Sequence, residues 1–176
     1  MKSTRSTIHG TLLHFLNRGV LIQGDSGVGK SRIAGDMLFR TMTPGQCGLV
    51  RSARLVADDI VQLETTPDGV VGTAPGALFG LLELSGMGII DVRRVFGPSL
   101  VRSSAIIDII VSLDDSPDGM TAAPGVTRTC RSLMEHEIPV IHLAAGVSGD
   151  TVGASVVEHI LTEAGILSPV LDALLR

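Results

Sequence analysis

Gly24-Asp25-Ser26-Gly27-Val28-Gly29-Lys30-Ser31 has the spacing GxxxxGKS, a complete Walker A pattern, and it follows the apolar run Val20-Leu21-Ile22. The chemistry of such a loop is anion binding. Its glycines let the backbone curl so that successive N–H groups face inward, its lysine reaches the β and γ phosphates of a nucleotide, and its serine hydroxyl holds magnesium. The helix that opens near Gly29 adds its positive end to the same site. A magnesium nucleotide also calls for carboxylates near the metal, and an acceptor hydroxyl calls for a base in line with the γ phosphate. Asp58-Asp59, directly after Leu55-Val56-Ala57, is the best-placed pair. Adjacent strand residues point to opposite faces, so one carboxylate can serve the metal while the other serves the acceptor. Ile106-Ile107-Asp108 imitates a Walker B strand, but its aspartate lies mid-run between apolar residues and reads as a structural turn or edge position. By local chemistry alone, His9 beside Gly10 is a surface or packing residue, and Glu83 in Leu81-Leu82-Glu83-Leu84 is a helix-surface charge.

The elements that must hold these residues are legible from hydrophobic period and turn chemistry. Residues 11–15 and 19–22 read as a hairpin around Asn17-Arg18-Gly19 that feeds the phosphate loop. Ile33, Ala34, Met37 and Leu38 recur at helical spacing within 31–40, and Thr43-Pro44-Gly45 ends that helix before a loop reaching Ser52. Residues 55–57, 60–64, 70–72, 87–92, 106–113 and 139–143 read as strands. Residues 76–84, 128–137 and 151–164 read as helices. Strands outnumber helices, which gives a mixed α/β architecture rather than an evenly alternating one.

Composition narrows the class. The 176 residues suffice for one domain with its own core, here taken as residues 1–176. Hydrophobic residues make up 44% and aromatics 2%, with no Trp or Tyr, so the core must be aliphatic. That poverty of aromatic faces, with a net charge of −4, argues against a nucleic-acid partner. Cys47 and Cys130 lie far apart without metal-ligand spacing and read as free thiols. No apolar run approaches the ~20 residues of a membrane span, so a soluble, cytoplasmic protein is expected.

Several segments occur together in a telling order: Ser6-Thr7-Ile8-His9-Gly10, then GDSGVGKS, then Arg54-Leu55-Val56-Ala57-Asp58-Asp59, then Leu82-Glu83-Leu84-Ser85-Gly86-Met87-Gly88-Ile89-Ile90-Asp91-Val92. In this order the chain resembles the C-terminal catalytic domain of HPr kinase/phosphorylase, over about residues 5–115. The resemblance implies a P-loop kinase domain of the HPr kinase and phosphoenolpyruvate carboxykinase type, with mixed sheets and flanking helices. It implies an ATP- and Mg²⁺-dependent serine kinase whose partner is HPr or an HPr-like carrier of the sugar phosphotransferase system, and a ring-like homohexamer. By the same resemblance Asp59 is the base, Asp58 its partner carboxylate, Lys30 the phosphate-binding lysine and His9 the active-site histidine. Ser31 and Glu83 are magnesium ligands, and Arg128 or Arg131 stands in for a family arginine. A same-fold kinase for another substrate and a non-catalytic nucleotide-binding module are the competing readings.

Two departures bear on function. Ser85 stands where family members usually carry arginine, and the arginine-bearing PVRPGR-type segment is replaced by Leu143-Ala144-Ala145-Gly146-Val147-Ser148-Gly149. Dephosphorylation by inorganic phosphate needs a second anion site, which arginine forks suit and this segment lacks. Phosphoserine-HPr mixed with magnesium and phosphate is therefore expected to release pyrophosphate far more slowly than the kinase reaction runs. Release at a comparable rate contradicts this expectation.

Overall fold

The computed structural model describes residues 5–42, 53–113 and 126–143. The sequence-expected loop after the first helix, most of the segment that replaces PVRPGR, and the helix at 151–164 lie outside these residues.

Among the described residues, eleven strands and two α-helices follow one another: β1 (Arg5–His9), β2 (Thr11–Phe15), β3 (Arg18–Gln23), α1 (Lys30–Met42), β4 (Ala53–Ala57), β5 (Ile60–Thr66), β6 (Gly69–Thr73), β7 (Leu81–Leu84), β8 (Gly88–Asp91), α2 (Val92–Val95), β9 (Ser104–Ser112), β10 (Val126–Leu133) and β11 (His136–Leu143). Nine of the strands form one mixed sheet with the path β1-β5-β6-β9-β3-β2-β4. The long strand β9 is the spine. One edge pairs in parallel with β3, and the other is shared between β6 at its start and β11 at its end. The phosphate loop thus leaves β3 at the carboxyl end of three parallel strands, the end of an α/β sheet where ligands are bound.

Both faces of the sheet are apolar because strands here alternate between two cores rather than between core and water. On one face Ile33, Ala34, Met37 and Leu38 of α1 pack on Leu13, Val20, Ile22, Leu55 and Ile109. On the other, Leu12, Leu21, Val61, Leu63, Ile107 and Ile110 meet Val140. Each such side chain contributes about 1.5–3 kcal/mol on burial.

Four sequence expectations are corrected, the last of them at Asp108. Residues 76–84 are not a helix: a single 3-10 turn (Gly76–Leu78) gives way at Gly80, φ +80°, to β7, which pairs with β8 as a separate ribbon. The spacing of Leu78, Leu81 and Leu82 imitates a helix, but cross-strand pairing decides the outcome. Residues 128–137 are not a helix either. They belong to the β10–β11 hairpin, whose Met134 and Glu135 adopt φ +48° and +70° in a two-residue loop without the Asn-Gly signature of such turns. The first hairpin turns at Leu16-Asn17, φ +45° and +64°, so Arg18 and Gly19 are strand residues.

Asp108 is neither a turn nor an edge residue. It lies mid-β9, where the β3–β9 register slips between Gly19 and Val20. The Gly19 N–H donates to its carboxylate at 2.7 Å, and Arg18 Nη1 donates at 3.0 Å. Gly19 itself presses on β9 so closely that a Cβ would overlap the carbonyl oxygen of Ile106. Gly19→Ala is therefore expected to destabilise the fold by about 3 kcal/mol, as in overpacked cores. Gly76→Ala, with open space around the added methyl, stays within about 0.5 kcal/mol. Urea unfolding midpoints at constant m check the pair.

Candidate functional site

The phosphate loop is a backbone structure first. Gly24, Gly27 and Gly29 have φ of +147°, +83° and +101°. A Cβ at Gly27 or Gly29 would meet nothing within 4 Å, so glycine is required there by conformation and not by space. Val28 N–H donates to Asp25 O at 3.3 Å, closing the turn, and Ile33 N–H donates to Gly29 O at 3.0 Å, starting α1. Lys30 is 7% exposed, and its Nζ donates to the loop's own carbonyls, Gly24 O at 2.9 Å and Asp25 O at 2.8 Å. The ammonium is thus held over the concave side of the loop.

Asp58 and Asp59 part company at the end of β4. Asp58 turns toward α1 and is 6% exposed. Its Oδ1 accepts from Thr11 Oγ1 at 2.7 Å and from Ser31 Oγ at 2.9 Å, while its Oδ2 accepts from the Glu83 N–H at 3.0 Å. One carboxylate thereby ties β2, the first turn of α1 and β7 together. Asp59 turns the other way, its side chain 59% exposed, and meets His9 Nδ1 at 3.1 Å. Its backbone has φ +67°, and Ile60 N–H donates back to Asp58 O at 2.8 Å, so Asp59 is the centre of a three-residue turn of the rarer hand. Such a conformation costs on the order of 1–3 kcal/mol and persists only where neighbours enforce it. One neighbour is Gly10, whose N–H donates to Asp59 O at 3.1 Å. Gly10 lies so near β3 that a Cβ would stand 2.8 Å from Ile22 O.

The cleft between these groups measures about 200 Å³ and is lined by His9, Lys30, Ser31, Asp58, Asp59 and Glu83, together with Ser26, Gly27, Gly29, Arg32 and Ser85. The sequence-expected residues His9, Ser26, Gly27, Gly29, Lys30, Ser31, Asp58, Asp59 and Glu83 therefore converge on one space. Arg128 does not line it. On β10, Arg128 pairs with Ile141, which packs on the α1 side of the sheet, whereas Arg131 pairs with Ile138 on the opposite side and donates from Nη1 to Gln23 Oε1 at 2.8 Å. Thr11 and Gln23 escape a reading of motifs. The available signals were a threonine opening the otherwise apolar stretch Thr11-Leu12-Leu13, and an amide directly before the first loop glycine.

Ser31 and Glu83 suit a hard divalent cation. The Ser31 hydroxyl donates a hydrogen bond to Asp58, which leaves its lone pairs free for a metal, and Glu83 presents an exposed carboxylate nearby. No cluster of three or more His, Cys, Asp and Glu able to hold a metal occurs among the described residues. Magnesium fits such a sparse donor set because it takes one or two protein oxygens and completes its shell with phosphate and water. Further along the ribbon, the hydrogen bond from the Arg93 side chain holds the Asp91 carboxyl below its usual range, and Asp91 caps α2 through the Arg93 N–H.

A glycine loop with an inward lysine, at the carboxyl end of a curled mixed sheet and facing two divergent carboxylates, defines a P-loop domain of the kinase type. The sequence profile of the HPr Serine kinase C-terminal domain matches residues 2–168, and the chain belongs to that family. It is 38% identical over 141 residues to an HPr kinase/phosphorylase of Lactiplantibacillus plantarum, covering 79% of this chain and 41% of the relative. It is 37% identical over 156 residues to one of Pediococcus pentosaceus, covering 86% and 46%. The chain thus spans less than half the length of these curated relatives. A solved structure, the Hpr(Ser) kinase/phosphatase of Coxiella burnetii, shares the fold with a TM-score of 0.76 at 22% identity, covering 96% of this chain and 95% of the other.

Asp58→Asn replaces an acceptor of three donors with a group that brings two donors of its own. The variant is expected to unfold earlier in urea and to lose magnesium-dependent ATP affinity, because Ser31 and the Glu83 strand lose their common anchor. Calorimetric titration of ATP with and without magnesium measures the second effect. Wild-type affinity in Asp58→Asn contradicts the anchoring role.

Proposed function

We propose that the chain is an ATP-dependent protein kinase that phosphorylates a serine of HPr or an HPr-like carrier. The observation that carries this reading is the division of labour between the two adjacent carboxylates. Asp58, buried and saturated with donors, has no room to act as a base toward an incoming hydroxyl. Asp59, exposed and held at its oxygen by His9, has. Phosphoryl transfer needs little covalent help from a protein, so positioning and charge neutralisation must lower the barrier.

In this reading the loop amides and Lys30 bind the ATP phosphates, with Lys30 exchanging the carbonyls of Gly24 and Asp25 for phosphate oxygens. Magnesium, when bound by Ser31 and Glu83, neutralises charge on the phosphates. Asp59 orients the acceptor serine and takes its proton, and His9 Nδ1 fixes the direction of that carboxylate. The cleft is small beside the ~300–1,000 Å³ of pockets that enclose whole ligands, which suits a polyphosphate tail with the nucleoside left outside. The family's cytoplasmic setting and hexameric ring are part of the same proposal. A different acceptor is the alternative that Ser85 and the replaced segment at 143–149 favour.

Labelled ATP incubated with the chain and a panel of carrier proteins tests the reading. The expected outcome is transfer to a serine of an HPr-type carrier, falling about 10²–10⁴-fold in Asp59→Asn while ATP binding is kept. Full turnover by Asp59→Asn alongside inactivity of a folded Asp58→Asn would reverse the two assignments.

A further inference from the structure

Asp59 and His9 are both more than half exposed, so burial does not fix either side chain. Their backbones are held by the His9–Ile60 pairing of β1 with β5 and by the Gly10 N–H on Asp59 O, and a further tie reaches the same strand end from β3. The His9 end of β1 is tied to the phosphate-loop strand by Gln23, whose Nε2 donates to the His9 carbonyl at 3.4 Å. Gln23 is in turn gripped from β10, where Arg131 Nη1 donates to Gln23 Oε1 at 2.8 Å. A side-chain amide is nearly symmetric in shape, and its flip is decided by its partners. Arginine has donors only, so it accepts the oxygen end alone and turns the nitrogen end toward the His9 carbonyl. Were the amide reversed, two oxygens would face each other at His9.

We propose that Gln23 and Arg131 are positioning residues of the acceptor side of the site: Arg131 fixes the flip of the Gln23 amide, and Gln23 holds the backbone of His9 so that its Nδ1 meets Asp59. The proposal rests on the kinase reading and deepens it. It extends the site from the phosphate loop to the β10–β11 hairpin, the element that carries Arg131. Neither residue lines the cleft, so neither acts on the reacting atoms directly.

The test is a series chosen for donor and acceptor character. Gln23→Leu is expected to lower kcat for phosphoryl transfer about 10- to 100-fold, the scale of a small misplacement of a catalytic group, with the KM for ATP unchanged. Arg131→Lys keeps a donor-only partner and keeps most of the rate. Arg131→Glu, an acceptor, draws the nitrogen end away from His9 and is expected to be the most damaging change at that position. The double variant Gln23→Leu/Arg131→Glu is expected to be no slower than the worse single one. In parallel, the ring-nitrogen resonances of His9, assigned with His9→Gln, are followed by ¹⁵N NMR. They should move in Arg131→Glu and return to wild-type positions in Arg131→Lys. Wild-type kcat in Gln23→Leu, or a His9 ring unmoved by Arg131→Glu, overturns the proposal. Should the wild-type chain itself transfer no phosphate to a carrier, the kinase reading fails, and the NMR arm still decides whether Arg131 governs His9.

Discussion

A carboxylate left almost without water must be surrounded by donors, and Asp58 draws its donors from three elements that the chain keeps far apart. Thr11 opens β2, Ser31 lies in the first turn of α1, and Glu83 sits on the β7–β8 ribbon. Removing one donor from a buried, charged acceptor is costly, on the order of several kcal/mol in unfavourable cases. The ribbon, the phosphate loop and the β1–β2 crossing therefore have one mutual arrangement that satisfies the charge. The Walker loop alone could bind phosphate in many settings. Its coupling through Ser31 to Asp58 brings Glu83 to the same cleft.

The second constraint is the tight turn at Asp59, where β4, paired with β2, passes into β5, paired with β1. Strand alternation would already send the two side chains to opposite faces. The tight turn at Asp59 does more, because it ends β4, starts β5 and leaves the Asp59 carboxylate beside His9. The turn is possible because Gly10 has no side chain: β1 passes into β2 in contact with β3, and the Gly10 N–H is free to hold the Asp59 carbonyl. Backbone strain at one residue is thus balanced by a close approach at another. The outcome is a protected anchor and an exposed carboxylate beside His9 on consecutive residues.

Much of this could be read from the sequence, for reasons that differ by residue. The phosphate loop is legible because glycines with positive φ and a lysine at fixed spacing have few other uses. The carboxylate pair is legible because it follows an apolar strand. Their separate duties are less so, since Asp58 reads only as a partner and emerges as the organiser. Glu83 is legible through family resemblance alone, and the helix expected around it is a strand because Gly80 breaks the run and Leu81–Leu84 finds a partner in Gly88–Asp91. The β10–β11 hairpin is hidden for a related reason: Met134 and Glu135 occupy left-handed positions that carry no glycine or asparagine to announce them. Thr11 and Gln23 form long-range hydrogen bonds, which no local pattern encodes, and Arg131 is legible only as a stand-in for a family arginine and not as the partner of Gln23.

The central claim is that Asp58, Ser31 and Glu83 form one unit that receives a metal–nucleotide. A crystal structure of the chain with Mn²⁺ and a non-hydrolysable ATP analogue, with the metal located by its anomalous signal, tests it most directly. The account predicts one metal bound by Ser31 Oγ and the Glu83 carboxylate, phosphates on the loop amides and Lys30, and the Asp58 contacts to Thr11 and the Glu83 N–H unchanged. A metal held away from Ser31 and Glu83, or an Asp58 that releases Thr11 and β7 to bind the nucleotide, would contradict it.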